Sequence, residues 1–169
     1  MARLVLSDAS PLIGLAWVNG LDWLRALFGA VWMPAEVRRE TLTGLSLPGE
    51  ASIASAIKNG TLREWRRPIA AASAKLPLPD LDEGEAACIR IAHARTALGD
   101  QVLLLIDERA GRAVAMEHGL HIAGTAAVIG MAKTAGLIPS AKAVFALLHD
   151  SNFRIAPEVI RTVLMRVGE

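Results

Sequence analysis

Two aspartates, Asp8 and Asp107, each come directly after an apolar run typical of a buried strand, at residues 4–7 and 102–106. In a parallel sheet the carboxyl ends of the strands meet at one edge, so we expect both side chains there. Two carboxylates placed in this way resist joint ionisation unless a cation lies between them, and Mg²⁺ and Mn²⁺ prefer oxygen ligands. An aspartate after a strand can also simply cap the next helix, and for either residue alone that alternative stays open.

Two glutamates lie at helical positions that could add to such a site. Glu40 falls three residues after Val37 on the same predicted helical face, so it is expected to turn inward, where an acid needs a partner or a metal. Glu85 begins a helical face that points toward the sheet. The spacing Asp82-x-x-Glu85 is also that of a capping box, so Glu85 taken alone is better explained as part of a helix cap.

The elements that must position these acids are predicted from the periodicity of apolar residues. Five runs indicate strands, at residues 4–6, 30–33, 61–67, 102–106 and 120–123. Helical spacing indicates helices at residues 11–28 with a break at Gly20, then at 35–42, 51–58, 82–97, 109–118, 125–135, 140–149 and 157–167. Strand and helix alternate, which predicts an α/β fold: a three-layer α/β/α sandwich with a central parallel sheet. At 169 residues, the chain is expected to form one domain over residues 1–169.

The composition is typical of a globular protein, with 53% apolar and 21% charged residues. The single cysteine, Cys88, excludes an intramolecular disulfide and a cysteine-based zinc cluster. No apolar run is long enough to cross a bilayer and no signal segment opens the chain, so we expect a cytoplasmic protein with no membrane partner. A net charge of +1 provides no global basic field, so attraction to nucleic acid would require local patches. The mean hydropathy of +0.38 is high and favours an oligomer or partner interface.

Four motifs, in their order and spacing, resemble the PIN domain over essentially the whole chain. They are Leu6-Ser7-Asp8 with Ser10-Pro11, Pro34-x-x-Val37-x-x-Glu40, Leu81-x-x-Gly84-Glu85-Ala86, and Leu105-Ile106-Asp107-Glu108-x-x-x-Arg112. Three further features resemble the bacterial and archaeal branch related to toxin–antitoxin ribonuclease toxins: the Gly124-Thr125 turn, the segment Ala132-Lys133-x-x-Gly136-Leu137-Ile138, and the Gly168-Glu169 ending.

The resemblance implies a PIN-like fold whose acidic pocket binds Mg²⁺ or Mn²⁺ through Asp8, Glu40, Glu85 and Asp107, which would also be the catalytic residues. It further implies an endoribonuclease that hydrolyses RNA phosphodiester bonds as the toxin of a toxin–antitoxin pair. Such a toxin would form a homodimer and be neutralised by a small antitoxin protein. The chain departs from the family pattern at the third acidic position, where many PIN domains have aspartate and this chain has Glu85.

Four other residues are candidates for substrate binding. Ser10 and Thr125 carry hydroxyl groups able to hydrogen-bond a metal ligand or a phosphate oxygen. Thr125 is expected to open a helix, whose N–H groups suit an anion, although N-capping is the simpler explanation for a threonine there. Arg109 and Arg112 follow Asp107 and would contact the RNA backbone near the metal, but solvated helix arginines would show the same pattern.

The segment at residues 63–67 combines three arginines with Trp65. The tryptophan could stack on an RNA base, or the segment could be an exposed strand face with one buried tryptophan. The sequence leaves both interpretations open.

Two other functions are compatible with the same residues. A PIN-like domain could bind RNA or protein without cutting, because a fold alone does not determine a function. A phosphoryl-transfer domain could use Asp8 as a nucleophile, and a receiver-like domain could use Asp107 together with Lys133. Stable phosphorylation by a small-molecule donor would favour the phosphoryl-transfer or the receiver-like domain.

Overall fold

A computed structural model describes residues 3–169 as a parallel sheet with helices on both faces. The strands are β1 (Arg3–Ser7), β2 (Val31–Met33), β3 (Leu62–Glu64), β4 (Gln101–Leu105) and β5 (His121–Ala123). The helices are α1 (Ala9–Trp17), α2 (Leu21–Phe28), α3 (Ala35–Thr41), α4 (Glu50–Lys58), α5 (Ala71–Ala74), α6 (Glu83–Ala97), α7 (Arg109–Glu117), α8 (Thr125–Thr134), α9 (Ala141–Asp150) and α10 (Pro157–Val167).

The strand order is β3-β2-β1-β4-β5, and every neighbouring pair is parallel. From β1 the chain builds outward through β2 to β3, then returns to the other side of β1 to add β4 and β5. Because such crossovers are right-handed, this reversal puts the connecting helices on opposite faces of the sheet. The predicted fold class, an α/β/α sandwich with a central parallel sheet, is therefore confirmed.

The reversal also creates a crevice between the carboxyl ends of β1 and β4. These two strands pair over five residues, from Arg3↔Gln101 to Ser7↔Leu105, and form the centre of the sheet. Their residues at 4–6 and 102–105 are apolar on both faces, and Leu6, Leu104 and Leu105 are fully buried. Parallel α/β sheets bind ligands outside the strand ends where the direction of building reverses. That point lies immediately beyond Ser7 and Leu105.

A second core cluster lies beside the sheet, where α8 packs against α9 and α10. Ile129, Phe145 and Leu148 are buried in this cluster. Helix α10 has no fully buried residue and packs through one partly buried stripe that includes Ile160 and Val163. None of the helices described for residues 3–169 is both long and apolar enough to span a bilayer.

The structure differs from the predicted elements mainly between residues 61 and 80. The predicted strand at 61–67 is shortened to Leu62–Glu64, although the Trp65 N–H still donates to the Met33 carbonyl at 2.7 Å. The pairing ends with this bond, and Pro68, three residues later, has no N–H with which to continue it. The one-turn helix α5 was not predicted from the sequence, because four residues are too few for a periodic signal.

Candidate metal centre and active site

Asp8 lies at the carboxyl end of β1 and immediately precedes α1. Its N–H donates to the Leu105 carbonyl at 2.9 Å, which ties the end of β1 to the end of β4. The side chain is only 3% exposed and makes no capping hydrogen bond to α1. Its Oδ1 atom is buried and has no hydrogen-bond partner among the described residues. Helix capping therefore does not explain this aspartate.

Carboxylate oxygens of Asp8, Glu40 and Asp82 lie within 4.8 Å of one another. Glu40 comes from the last turn of α3, and Asp82 is the residue that caps the start of α6. Both of these side chains are exposed, whereas Asp8 is buried. The three acids, called the acidic pocket below, thus form a site with a buried floor and a rim open to solvent.

Burial and mutual repulsion make the acidic pocket a poor place for negative charge without a cation. Burial raises the pKa of Asp8 to about 7, and the neighbouring carboxylates of Asp82, Glu40 and Glu85 add to the rise. The pKa of Glu40 is also raised, first by partial burial and then by repulsion from Asp82. A hard divalent cation would relieve both effects, since it neutralises charge and binds oxygen.

Asp82 and Glu85 form the capping box that the sequence predicted. The Glu85 N–H donates to Asp82 Oδ1 at 2.8 Å, and the Asp82 N–H donates to Glu85 Oε2 at 3.4 Å. Glu85 is buried, and its Oε1 has no hydrogen-bond partner in the described structure. Burial first, and then repulsion from Asp82, raises the pKa of Glu85. The cap fixes both acids beside the crevice, with Asp82 on its rim and Glu85 beneath.

Sequence reasoning missed Asp82 as a member of the pocket because its role as a helix cap already explained it. The two roles are compatible, since a carboxylate has two oxygens with two lone pairs each. The signal was present in the sequence: an acid at the N-cap of the helix that leads into β4 must lie near the edge of the sheet. Glu85, three residues later, points to the interior instead.

Gly84 leaves open the space between two of the acids. A Cβ atom on residue 84 would lie 3.2 Å from Asp8 Oδ1 and 3.2 Å from Glu40 Oε2. It would also lie 3.2 Å from a methyl group of Val37. A side chain here would therefore crowd the carboxylates and occupy the volume in which an ion could approach them.

Asp107 is held by the first residue of α8. The Thr125 N–H donates to Asp107 Oδ1 at 2.7 Å, and the Thr125 hydroxyl donates to Oδ2 at 2.7 Å. Burial raises the pKa of Asp107, and the two Thr125 bonds and the nearby Arg112 guanidinium oppose that rise. The expected contact between Thr125 and a candidate ligand is present, while the N-capping role is not, because Gly124 is the N-cap residue.

The structure thus brings together two of the four predicted acids, Asp8 and Glu40, and adds Asp82. In residues 3–169, neither Glu85 nor Asp107 belongs to a group of three ligand atoms as close as that of the acidic pocket. Both nevertheless border the same crevice: Glu85 through the capping box, and Asp107 two residues beyond the end of β4.

The other candidate residues lie around the crevice. Ser10 is in the first turn of α1 and is half-buried. Arg109 and Arg112 line a cleft of about 1100 Å³ that runs from Asp107 between α7 and α10. Arg112 also donates through Nη1 to the Ile106 carbonyl at 2.8 Å, so its position beside Asp107 is fixed.

The receiver-like alternative is wrong. Lys133 would have to lie beside Asp107, but it is near the far end of α8 and donates to the Pro139 carbonyl at 2.7 Å. Eight residues of helix, or about 12 Å, separate it from Thr125, which contacts Asp107.

No curated protein matches the chain. A family profile described as a PIN domain matches residues 4–169, which is nearly the entire sequence. PIN domains are generally nucleases, and they use divalent metal ions. With an all-parallel five-stranded sheet and carboxylates gathered where its building direction reverses, the chain belongs to the PIN-domain family.

Proposed function

We propose that this chain is a metal-dependent endoribonuclease that hydrolyses RNA phosphodiester bonds with Mg²⁺ or Mn²⁺. The observation that carries the proposal is the state of Asp8: a buried carboxylate whose Oδ1 has no partner, next to two further carboxylates within 4.8 Å. A buried polar atom without a partner costs free energy, and a buried charge costs more. A divalent cation supplies the missing partner.

The residues present fit such an ion by three criteria. The donors are carboxylate oxygens, which Mg²⁺ and Mn²⁺ prefer. Gly84 keeps the space beside Asp8 and Glu40 free of a side chain. Two of the three acids are exposed, so the site is open to water and to a phosphate group. When bound, the ion supplies an activated water and screens the charge of the scissile phosphate.

Each acid has a distinct part in this proposal. Asp8, Glu40 and Asp82 would hold the ion. Glu85 would fix Asp82 through the capping box, and Asp107, two residues beyond the end of β4, would keep the one orientation in which Thr125 holds it. Each Asp107 oxygen keeps a second lone pair, which can accept from a water or bind a cation. All four acids predicted from the sequence therefore stay in the proposed catalytic set, with Asp82 added.

Two arginines would orient the substrate. Arg109 is exposed at the first position of α7, and Arg112, one turn later, lies beside Asp107. Guanidinium groups form bidentate hydrogen bonds to phosphate, so both side chains would hold the RNA backbone against the pocket. Ser10, half-buried in the first turn of α1, would offer a hydroxyl group to a phosphate oxygen or a metal ligand.

The test is cleavage of single-stranded and structured RNAs by purified protein with Mg²⁺, Mn²⁺ or a chelator. Asp8→Asn and Asp82→Asn are the informative variants, because asparagine preserves the shape of each side chain and is itself a good helix cap at residue 82. Asp22→Asn removes an exposed acid in the first turn of α2 and serves as the matched control. The proposal expects metal-dependent cleavage that Asp8→Asn abolishes, Asp82→Asn weakens and Asp22→Asn leaves intact. Equal cleavage by all four proteins would contradict it.

We further propose that the nuclease acts as the toxin of a toxin–antitoxin pair and forms a homodimer. The resemblance of the Gly124-Thr125 turn and of the last residues to that branch supports this, as do the exposed apolar side chains of Leu147, Val159 and Met165. Expression in a bacterial host should arrest growth, and Asp8→Asn should not. Sedimentation of the purified protein as a monomer would contradict the homodimer.

The alternative of a PIN domain that binds without cutting rests on one observation. Glu85, at the third acidic position of the family, is buried in a capping box rather than grouped with Asp8 and Glu40. If the pocket binds Mn²⁺ but no RNA is cut, this alternative is preferred.

A further inference from the structure

A cluster of arginines and tryptophans lies on the outer strands β2 and β3 of the sheet, outside the acidic pocket. Trp32 on β2 and Arg63 on β3 are paired across the two strands, and Trp65 follows β3. Because side chains alternate along a strand, these three lie on the same face of the sheet. Together with Arg67 they are called the arginine–tryptophan surface below.

The tryptophans hold the arginines in place. The rings of Trp32 and Trp65 pack edge to face with centroids 5.8 Å apart. The Arg63 guanidinium lies 5.8 Å from the Trp32 ring, and the Arg67 guanidinium lies 5.5 Å from the Trp65 ring and 5.9 Å from the Trp32 ring. These distances fall within the range of cation–π attraction. The two guanidinium groups therefore have restricted freedom before any ligand arrives.

The same two arginines have no acidic partner. Nearby, Arg66 pairs with Glu64 at 3.2 Å, and Glu64 also pairs with Arg38. In residues 3–169, neither Arg63 nor Arg67 forms an ion pair with a carboxylate. Arg63 uses one N–H, which donates to the Gly60 carbonyl at 3.2 Å. Both residues are exposed, so an anion can reach their side chains.

The edge of the sheet around β3 concentrates positive charge in a chain whose net charge is small. Four arginines and one glutamate, at positions 38, 63, 66, 67 and 64, give a local charge of +3, whereas the whole sequence has +1. The strands β3 and β1 are separated only by β2, so their carboxyl ends lie about 10 Å apart. Arg38 belongs to the same helix as Glu40 and contacts Glu64 at the end of β3. The basic edge is thus adjacent to the acidic pocket.

We propose that Arg63 and Arg67 bind phosphate groups of single-stranded RNA on one side of the bond that is cut in the acidic pocket. This inference rests on the proposed nuclease function and adds the path of its substrate. A cluster of carboxylates repels the RNA backbone, so positively charged side chains held in place nearby are needed to bind the strand. Trp65 is only 7% exposed and is covered by Arg67, so it positions arginines and does not stack on bases. Binding here is expected to be independent of base sequence.

The experiment measures binding of a fluorescein-labelled oligouridylate by anisotropy, in chelator and on an Asp8→Asn background, so that no cleavage occurs. The double variant Arg63→Gln/Arg67→Gln is compared with a control double variant, Lys142→Gln/Arg161→Gln. The control pair removes the same charge from exposed positions on α9 and α10, beside the other end of the sheet. For single strands, losing two phosphate contacts should reduce the slope of log affinity against log salt by about 1.4. That slope corresponds to roughly 25-fold weaker binding at about 0.1 M salt if the contacts contribute nothing at 1 M.

A second double variant, Arg63→Lys/Arg67→Lys, keeps the positive charge and distinguishes the loss of phosphate contacts from misfolding. It should retain the salt slope and bind with intermediate affinity, because lysine lacks the planar fork of donors. The inference is overturned if the glutamine pair and the control pair bind RNA with equal affinity and slope. It is also overturned, in favour of an acidic protein partner, if polyglutamate competes as well as oligouridylate of equal charge. If the surface binds as expected but the wild type never cuts RNA in any metal, the proposed function fails and the surface stands.

Discussion

Replacing Asp8 with asparagine should stabilise the metal-free protein at high pH. The pKa of Asp8 is about 7 in the folded chain and 3.8 without burial. The protonated form therefore predominates in the fold below pH 7, while the unfolded chain releases its proton near pH 4. Stability is complete below the unfolded value, falls as the pH rises between the two, and above pH 7 is lower by about 4 kcal/mol. Asparagine cannot ionise, so the variant should not lose this stability.

The gain will be smaller than the full penalty. The amide of asparagine remains buried and must find hydrogen-bond acceptors, and the carboxylate oxygens of Glu40 and Asp82 lie within 4.8 Å of this position. We expect a stabilisation of about 2–4 kcal/mol near pH 8.5 and almost none near pH 4. For a chain of this size that corresponds to an increase in Tm of roughly 5–15 °C.

The assay is thermal unfolding in chelator across this pH range, with Asp22→Asn as the control. Asp22 is an exposed acid near a helix start, so its substitution should change stability by less than about 1 kcal/mol, in the destabilising direction. Added Mn²⁺ should raise the Tm of the wild type and have a much smaller effect on Asp8→Asn, because ligand binding stabilises only the protein that binds. A stability difference between wild type and Asp8→Asn that is the same near pH 4 and pH 8.5 would refute the buried-charge reasoning.

Three more results are expected around the pocket. Thr125→Val removes the hydrogen bond from the hydroxyl group to Asp107, so it should lower the free energy of unfolding by about 1–2 kcal/mol and reduce RNA cleavage. Thr125→Ser keeps the hydroxyl group and should preserve both stability and cleavage. Denaturant unfolding and the RNA cleavage assay measure the two effects. Gly84→Ala places a Cβ atom 3.2 Å from Asp8 Oδ1, so it should reduce the Mn²⁺-induced rise in Tm while hardly changing the metal-free Tm. Because a proton competes with metal at Asp8, Mn²⁺ affinity by titration calorimetry should fall up to about tenfold per pH unit below pH 7; a flat profile would contradict that competition.

The sequence predicted the sheet and the acids of its edge for a definable reason. A buried parallel strand needs an unbroken apolar run, and the two central strands show such runs, followed at once by Asp8 or shortly by Asp107. The carboxyl-end rule then places both residues at one crevice without any knowledge of side-chain geometry. Glu40 was predicted from its helical spacing to Val37, and its carboxylate does lie beside Asp8.

What the sequence could not predict depends on side-chain direction. Asp82 and Glu85 are one turn apart, and only the capping box decides which of them faces the rim and which the interior. The spacing of residues is the same whether Asp107 faces a metal or Thr125, and the structure shows that Thr125 holds both of its oxygens. The sequence showed the arginines and Trp65 of segment 63–67, but the contact of Arg63 with Trp32 follows only from the register of β2 and β3.

Asp8 lowers the stability of the metal-free protein at the position where the proposed activity needs a carboxylate. The penalty of about 4 kcal/mol for ionising the buried Asp8 is a large share of the 5–15 kcal/mol by which folded domains are usually stable. This carboxylate therefore substantially destabilises the metal-free protein at neutral pH. A leucine or an alanine at residue 8 would carry no charge to bury, and the nearby residues Leu6 and Ala9 belong to the apolar core. Packing alone therefore gives no reason for an ionisable group at this position. A buried carboxylate with an unpaired oxygen, and with two more acids within 4.8 Å, supports the proposal of a cation at this site.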